Sequence, residues 1–241
     1  MENIEVKRFL AKDFLAAEAF KTLRTNLMFS GADVRAVALT SFSAAEGKSS
    51  VSFQLAASLA QAGKQVLLLD TDLRKSMMQA RLKVPGKIMG LSHYLTGMAD
   101  VKETLVGTDV PGLYIIFAGT LVPNAAELLG SNHFKKLIPA LKESFDYVIV
   151  DAAPLGQVID CAVMAPELDG TMIVVDTTHN SYKLERRIQA QLEKSGGKLL
   201  GVVLNRVDFK DKSGYYGKAY GYGYGEKYGY GEEESKKSSQ E

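Results

Sequence analysis

An apolar run, Ala36-Val37-Ala38-Leu39-Thr40, passes directly into Ser41-Phe42-Ser43-Ala44-Ala45-Glu46-Gly47-Lys48-Ser49-Ser50 and then into a helical pattern reaching Ala62. A strand that turns tightly into a helix leaves the first N–H groups of the helix unsatisfied and its positive dipole end bare. Such a turn is a place for an anion. Gly47 lets the backbone approach that anion closely, and Lys48 brings a point charge to it. The Ser49 hydroxyl has the chemistry to join the shell of a divalent cation, and Glu46 and Ser50 flank the group. The pattern G-x-x-x-x-G-K-[ST] begins with glycine, where this chain has Phe42. Gly-Lys-Ser alone is common by chance; its seat between a strand and a helix is what makes it a phosphate loop.

Two further apolar runs end in carboxylates. Val66-Leu67-Leu68-Leu69 ends in Asp70-Thr71-Asp72-Leu73-Arg74, and Tyr147-Val148-Ile149-Val150 ends in Asp151-Ala152-Ala153-Pro154. One Asp at a strand end reads as a cap. Two at i and i+2, on the edge where open α/β sheets bind ligands, favour metal and nucleophile chemistry. Asp151 has the Walker B arrangement, a carboxylate delivered to a Mg²⁺ hydration shell by a buried strand. Three strand ends in one constellation imply a Mg-nucleotide site.

The chain has 241 residues, enough for one large α/β domain and a short appendage. Strands are predicted at Ala36–Thr40, Val66–Asp70, Tyr114–Phe117, Tyr147–Asp151, Met172–Asp176 and Gly201–Val207. Helical patterns cover Lys48–Ala62, Ala125–Lys142 and Ser181–Lys194, and a leading helix spans about Asp13–Phe29 with Asp13 as N-cap. Strands apolar on both faces and separated by helices predict a doubly wound, mainly parallel sheet flanked by helices, a P-loop NTPase-like α/β fold. A net charge of +1 makes no case for a nucleic-acid partner. No apolar run approaches the ~18–20 residues that span a bilayer, and the first residues lack a signal-peptide core. The single cysteine, Cys161, excludes an internal disulfide framework and fits a reducing cytosol; it reads as a small buried hydrophobe. His93, His133 and His179 are scattered, make no metal-ligand spacing, and read as surface or structural.

Composition changes abruptly near Asp208. Between Ser213 and Gly231 stand seven tyrosines and seven glycines among nineteen residues: Tyr215, Tyr216, Tyr220, Tyr222, Tyr224, Tyr228 and Tyr230. Glycine at almost every second place denies this stretch a core, so residues 1–208 are expected to form the folded domain and 209–241 a disordered, solvent-exposed tail. Seen alone, such a segment is either adhesive or a set of phosphoacceptors. Behind a Mg-nucleotide site the phosphoacceptor reading is the stronger.

The variant phosphate loop, the Asp-x-Asp-Leu-Arg after the second strand and the Asp-x-x-Pro that begins at Asp151 together resemble the bacterial tyrosine kinases of capsular and exopolysaccharide synthesis. Glu18-Ala19-Phe20-Lys21-Thr22-Leu23-Arg24, Gly90-Leu91-Ser92-His93-Tyr94-Leu95-Thr96-Gly97, Pro123-Asn124-Ala125-Ala126-Glu127-Leu128-Leu129 and the tyrosine-rich tail are similar to that family as well. The resemblance implies an ATP-dependent protein-tyrosine kinase. Lys48 and Ser49 would hold phosphates and Mg²⁺, Asp70 and Asp72 would assist Mg²⁺ and accept the tyrosine proton, and Asp151 would complete the metal shell. Arg74 would belong to the nucleotide site, and Asn205 resembles the position that reads the adenine edge. Glu18, Lys21 and Arg24 would pack neighbouring subunits into a ring, an octamer; from the residues alone, their i, i+3, i+6 spacing equally describes a solvated helix face. The resemblance further implies a separate transmembrane activator (a polysaccharide co-polymerase), an opposing tyrosine phosphatase, and a cytoplasmic protein recruited to the inner membrane face through a partner. Departures are Ala44-Ala45 where the family has Pro-Gly, Lys21 for an arginine, and Ala152-Ala153 for Thr-Pro. The first removes a glycine from the phosphate loop.

If the last strand is parallel to the others, the tail leaves on the ligand edge, and about 15 flexible residues span roughly 20 Å, enough to reach a neighbouring site or its own. Two rival readings stand beside the kinase. One is a partition or septum-placement ATPase, which carries a lysine five residues before the phosphate-binding lysine, where this chain has Ser43, and which has no tyrosine cluster. The other is an ATP-gated adaptor of a membrane polysaccharide co-polymerase with little kinase activity.

Overall fold

The computed structural model describes residues 3–178 and 182–207, the side chains of 182–185 excepted. The strands are β1 (Asn3–Ile4), β2 (Ala36–Ser41), β3 (Val66–Asp70), β4 (Leu105–Thr108), β5 (Leu113–Ile116), β6 (Tyr147–Asp151), β7 (Gly170–Asp176) and β8 (Leu199–Asn205). They form one sheet in the order β1-β4-β5-β3-β6-β2-β7-β8, parallel except for the antiparallel β4–β5 pair. The helices are α1 (Phe14–Phe29), α2 (Lys48–Gln61), α3 (Met78–Arg81), α4 (Leu91–Leu95), α5 (Val101–Thr104), α6 (Ala125–Leu129), α7 (Asn132–Ser144), α8 (Asp160–Met164) and α9 (Tyr182–Lys194). This is the doubly wound, P-loop NTPase-like α/β fold that the sequence predicts.

Alternation along each strand divides the core in two. Ala36 and Ala38 of β2, Leu67 and Leu69 of β3, and Val148 and Val150 of β6 pack on Phe134, Leu137, Ile138 and Leu141 of α7. Val37, Leu39, Val66, Leu68 and Ile149 point the other way, onto Val51, Leu55 and Leu59 of α2 and Leu27 of α1. Helix α2 is buried along most of its length, and its Ala56, Ala57, Ser58 and Ala60 admit the close approach of neighbours on both sides. Helix α1 covers it. Asp13 caps α1 by accepting from Ala16 N at 2.9 Å.

Besides the short helices α3, α4, α5 and α8 and an earlier start of β7 at Gly170, the structure differs from the sequence expectation in the following details. The Ala125–Lys142 helix is two helices, because Gly130 ends α6 and the Ser131 hydroxyl starts α7 by accepting from Phe134 N. The last strand runs Leu199–Asn205, two residues earlier than expected, and Arg206 follows it with φ 59°. Strands β1 and β4 are additional; β4 turns back on β5 through a short bend closed by Gly112 (φ 81°), where a Cβ would lie 2.6 Å from Lys64 O. Among the described residues no helix is long and apolar enough to cross a membrane.

Candidate active site

Strands β3, β6 and β2 are neighbours in the sheet and run in the same direction, so their C-terminal ends open on one edge. Register places Asp70 opposite Asp151, and Asp151 opposite Leu39, two residues before β2 ends at Ser41 and the chain enters the phosphate loop. The carboxylates of two chain segments 81 residues apart thus meet beside residues 42–50. Hydrogen bonds fix the edge. Thr71 donates to Asp151 O through both its N–H and its hydroxyl (2.9 and 3.0 Å), and the Thr40 hydroxyl donates to Ala153 O at 2.8 Å.

Lys48 begins α2, and its ammonium lies 3.5 Å from Asp72 Oδ2 and 3.9 Å from Asp151 Oδ1. Asp70, Asp72 and Asp151 are all buried, and Lys48 forms an ion pair with two of them. Burial first, then the Asp151 charge, pushes Asp70 up to about 7, against the opposing hydrogen bonds from the Ser76 hydroxyl and the Asp72 N–H. Asp151 is raised as well, again chiefly by burial, with Lys48 and the Ser49 and Ser52 hydroxyls working in the other direction. Ser52 donates to Asp151 Oδ1 at 3.3 Å and to Lys48 O at 2.9 Å. An excess of buried carboxylate over ammonium fits a divalent cation, so the residues present suit Mg²⁺. Among the described residues no three His, Cys, Asp or Glu side chains form a ready-made metal cage. Mg²⁺ needs only one or two carboxylates, completing its shell with water and phosphate oxygens. Ser49, Asp70 and Asp151, the residues that the resemblance assigns to a metal, all lie at this sheet edge, with Ser49 hydrogen-bonded to Asp151.

A cleft of about 420 Å³ opens above these groups, lined among others by Ala45, Gly47, Lys48, Ser49, Asp72 and Asp151. Asp72 reaches this cleft, while Asp70 lies beneath it with no exposed surface. Arg74 lines the cleft, but its guanidinium is engaged: Nε and Nη2 donate to Asp160 at 2.7 and 3.0 Å, and Nη1 donates to Pro123 O. The Asp160 bond raises its pKa further. At the other end of the cleft, Arg81 donates to the Ser50 hydroxyl at 3.0 Å.

The phosphate loop is bent at two points. Gly47 caps α2 with φ 90°, and Ala45 has φ 66°, left-handed values that glycine adopts freely and alanine does not. Two contacts oppose this strain. Glu46 Oε1 accepts from Ser43 N at 2.7 Å, and Asn205 Nδ2 donates to Glu46 O at 2.9 Å. The second carboxylate oxygen, Glu46 Oε2, is buried and has no hydrogen-bond partner among the described residues. Phe42, in the place of the usual glycine, packs against the core beside Gly156, where a Cβ would fall 2.3 Å from Phe42 O.

Other expected residues are placed as follows. Lys21 pairs with Glu18 at 2.6 Å on the exposed face of α1, whereas Arg24 turns onto α2 and donates to Ser58 O at 2.9 Å. Cys161 is buried, its thiol pushed up to about 12 by desolvation. His93 Nδ1 accepts from Gly90 N, and His133 meets Tyr94 edge-on. His179 and the tail tyrosines Tyr215, Tyr216, Tyr220, Tyr222, Tyr224, Tyr228 and Tyr230 lie outside the described residues. Sequence reasoning missed Ser76, Ser52 and Asp160. Ser52 carried a signal, since it follows Lys48 by one helical turn; Asp160 carried none.

A family model described as an AAA domain matches residues 34–194. The chain is similar to the tyrosine-protein kinase CpsD of Streptococcus agalactiae, 40% identical over 206 residues that make up 86% of this chain and 89% of that protein. Among solved structures it is similar to the chimerical protein CapA2B2, with a TM-score of 0.77 and 29% identity over 86% of this chain and 93% of that one. It is also similar to the kinase domain of the Escherichia coli tyrosine kinase ETK, with a TM-score of 0.75 and 30% identity over 80% and 78% of the two chains.

Two outcomes follow from this geometry. Asp70 has a folded-state pKa above its unfolded value of 3.8, so its contribution is fully present at acid pH and is lost as pH rises toward about 7. Asp70→Asn should therefore raise the melting temperature of the nucleotide-free protein by several degrees at pH 8, with the gain shrinking toward pH 5; a gain that grows on acidification contradicts this. Ala45→Gly should stabilise the nucleotide-free protein by about 0.5–1 kcal/mol in urea unfolding, the left-handed penalty less the entropy of glycine. A loss of stability would show that position 45 is unstrained.

Proposed function

This chain belongs to the bacterial tyrosine-kinase family and is a protein-tyrosine kinase, and on that premise we propose that it transfers the γ-phosphate of ATP to tyrosines of its own residues 215–230. The supporting observation is the placing of Lys48, Asp72 and Asp151 around one cleft beside the phosphate loop, on the sheet edge where β8 also ends. Nucleotide binding belongs to this family, usually with Mg²⁺. Bound there, Mg²⁺ would neutralise charge on the β- and γ-phosphates.

The loop amides of residues 47–49 and the Lys48 ammonium orient the phosphates and draw charge toward the leaving oxygen. A tyrosine hydroxyl, with a pKa of ~10 when unperturbed, is a weak nucleophile. Phosphoryl transfer tolerates this, because its loose transition state asks mainly for alignment and charge neutralisation. The tyrosine oxygen forms a bond to the γ-phosphorus, the bond to the β–γ bridging oxygen breaks, and ADP leaves. We assign the hydroxyl proton to Asp72, the carboxylate that faces the cleft, held by Lys75 N at 3.0 Å. Asp70, underneath, would serve with Ser49 and Asp151 in holding a bound Mg²⁺.

In this reading residues 1–208 are the kinase domain and 209–241 the substrate segment. Subunits associate as a ring in which Glu18 and Lys21, exposed on α1, face a neighbour, and each tail enters the adjacent site. A separate transmembrane activator brings the protein to the membrane, a tyrosine phosphatase opposes it, and the assembly regulates capsular or exopolysaccharide synthesis and export. Ser43, in place of the early lysine of partition ATPases, supports the kinase reading over that rival.

After incubation with Mg-ATP, mass spectrometry should find phosphotyrosine within 215–230 in the wild type and at least a hundredfold less in Lys48→Met, a loss in the range set by removing one charge-stabilising donor. Unmodified wild-type tyrosines would leave the ATPase or adaptor reading. Each phosphotyrosine adds ~−1.5 to −2 charge, so several per tail repel neighbouring subunits. Sizing before and after the incubation should show a ring becoming monomers, and an unchanged mass would sink the ring switch.

A further inference from the structure

Asn205 ends β8, and its side chain does not lie open above the cleft. It is pressed against the phosphate loop: a Cβ built on Gly47 would fall 2.1 Å from Asn205 Nδ2. The same nitrogen donates to Glu46 O at 2.9 Å. A carbonyl oxygen only accepts, so the atom facing it must be the amide NH₂, which settles the orientation of the side chain. The residues it touches, Glu46 and Gly47, directly follow Ala45, the non-glycine residue with a positive φ in this turn. The opposite side of Glu46 is held by Ser43 N through Oε1. Asn205 is in turn fixed through its own carbonyl, which accepts from Thr177 N at 3.1 Å and from the Thr177 hydroxyl at 3.2 Å.

We infer that Asn205 is a positioning residue that clamps the Glu46–Gly47 segment of the phosphate loop and so acts on the phosphates through that loop. The clamp sets the direction of the Glu46 carbonyl. With that carbonyl turned toward β8, the amides that follow, from Gly47 to Ser49, are left facing the cleft as α2 begins. This rests on the nucleotide-site reading above and adds to it a cause for the loop's shape that lies 159 residues away in the chain. In this chain the need is greater, because alanine at position 45 strains a turn that glycine would not.

Asn205→Ala removes the donor without adding charge. Calorimetric binding of ADP and of inorganic tripolyphosphate, which has no base, separates the clamp from a base-reading role. The clamp requires that tripolyphosphate, which no base contact can affect, weaken about tenfold, the equivalent of one lost hydrogen bond, and that ADP weaken at least as much. It also requires that Ala45→Gly, by relieving the turn, recover part of the loss in the double variant. Hydrogen exchange of the ligand-free protein should quicken at residues 43–49 and stay unchanged in β3 and β6. A loss confined to ADP, with tripolyphosphate binding intact, would overturn the inference in favour of base contact, and so would an unchanged affinity for both. Wild-type protein that binds neither ligand would remove the nucleotide-site reading itself, and the clamp with it. Asn205→Asp, equal in shape but without the donor, supplies the same exchange readout should the alanine variant fail to fold.

Discussion

The parallel register of β3 and β6 is what the site depends on. It sets Asp70 against Asp151, and both beside the start of the phosphate loop. Parallel pairing is possible here because the strands are apolar on both faces and helices cover each face, α2 on one and α7 on the other. The register in turn follows from the pleat: slipping β6 by one residue would send Val148 and Val150 to the α2 side and Ile149 to the α7 side. Packing of wholly apolar residues therefore determines where two charged residues meet, although neither contributes to the packing.

The cost of that meeting is visible in the raised pKa values of Asp70 and Asp151, both caused chiefly by burial. Hydroxyls of Ser76, Ser52 and Ser49 and the Lys48 ammonium reduce the penalty without removing it. A site that is destabilised in this way when empty gains from a cation, because its binding then relieves a repulsion already present. The same logic applies to the backbone. A non-glycine residue in the left-handed region costs about 1–2 kcal/mol. Two hydrogen bonds on Glu46, each worth about 0.5–1.5 kcal/mol net, are of the size needed to offset it.

What could be read from the sequence was whatever is local in it. Gly47-Lys48-Ser49 between a strand and a helix, and acidic residues at the ends of apolar runs, announce themselves within ten residues, and the central strands follow from their unbroken apolar pattern. The α6–α7 break was also local, in Gly130-Ser131, but the apolar periodicity continues across it and hides it. Edge elements were less legible. Strand β4 has four residues and pairs only with partners its own sequence does not name. Pairings of long reach were not legible at all. Arg74 reads as a cation for phosphate until Asp160, 86 residues on, is seen to hold it. Arg24 reads as a surface charge until Ser58 is found beneath it. Resemblance to a family supplied roles for these residues but not their partners within the chain.

Asn205 shows how far this matters. Its contact with Glu46 joins the last strand of the sheet to the first loop of the site, so the loop's final geometry is assembled from opposite ends of the folded body. Strand β8 is an edge strand, paired only with β7 among the described residues, and its side chains are the least buried of the long strands. Edge elements of this kind open locally more readily than central ones. The loop that must be rigid to hold phosphates is therefore braced by one of the less rigid strands, and the chain toward the tyrosines leaves from that same strand. One hydrogen bond, from Asn205 to Glu46 O, joins the end of β8 to that loop.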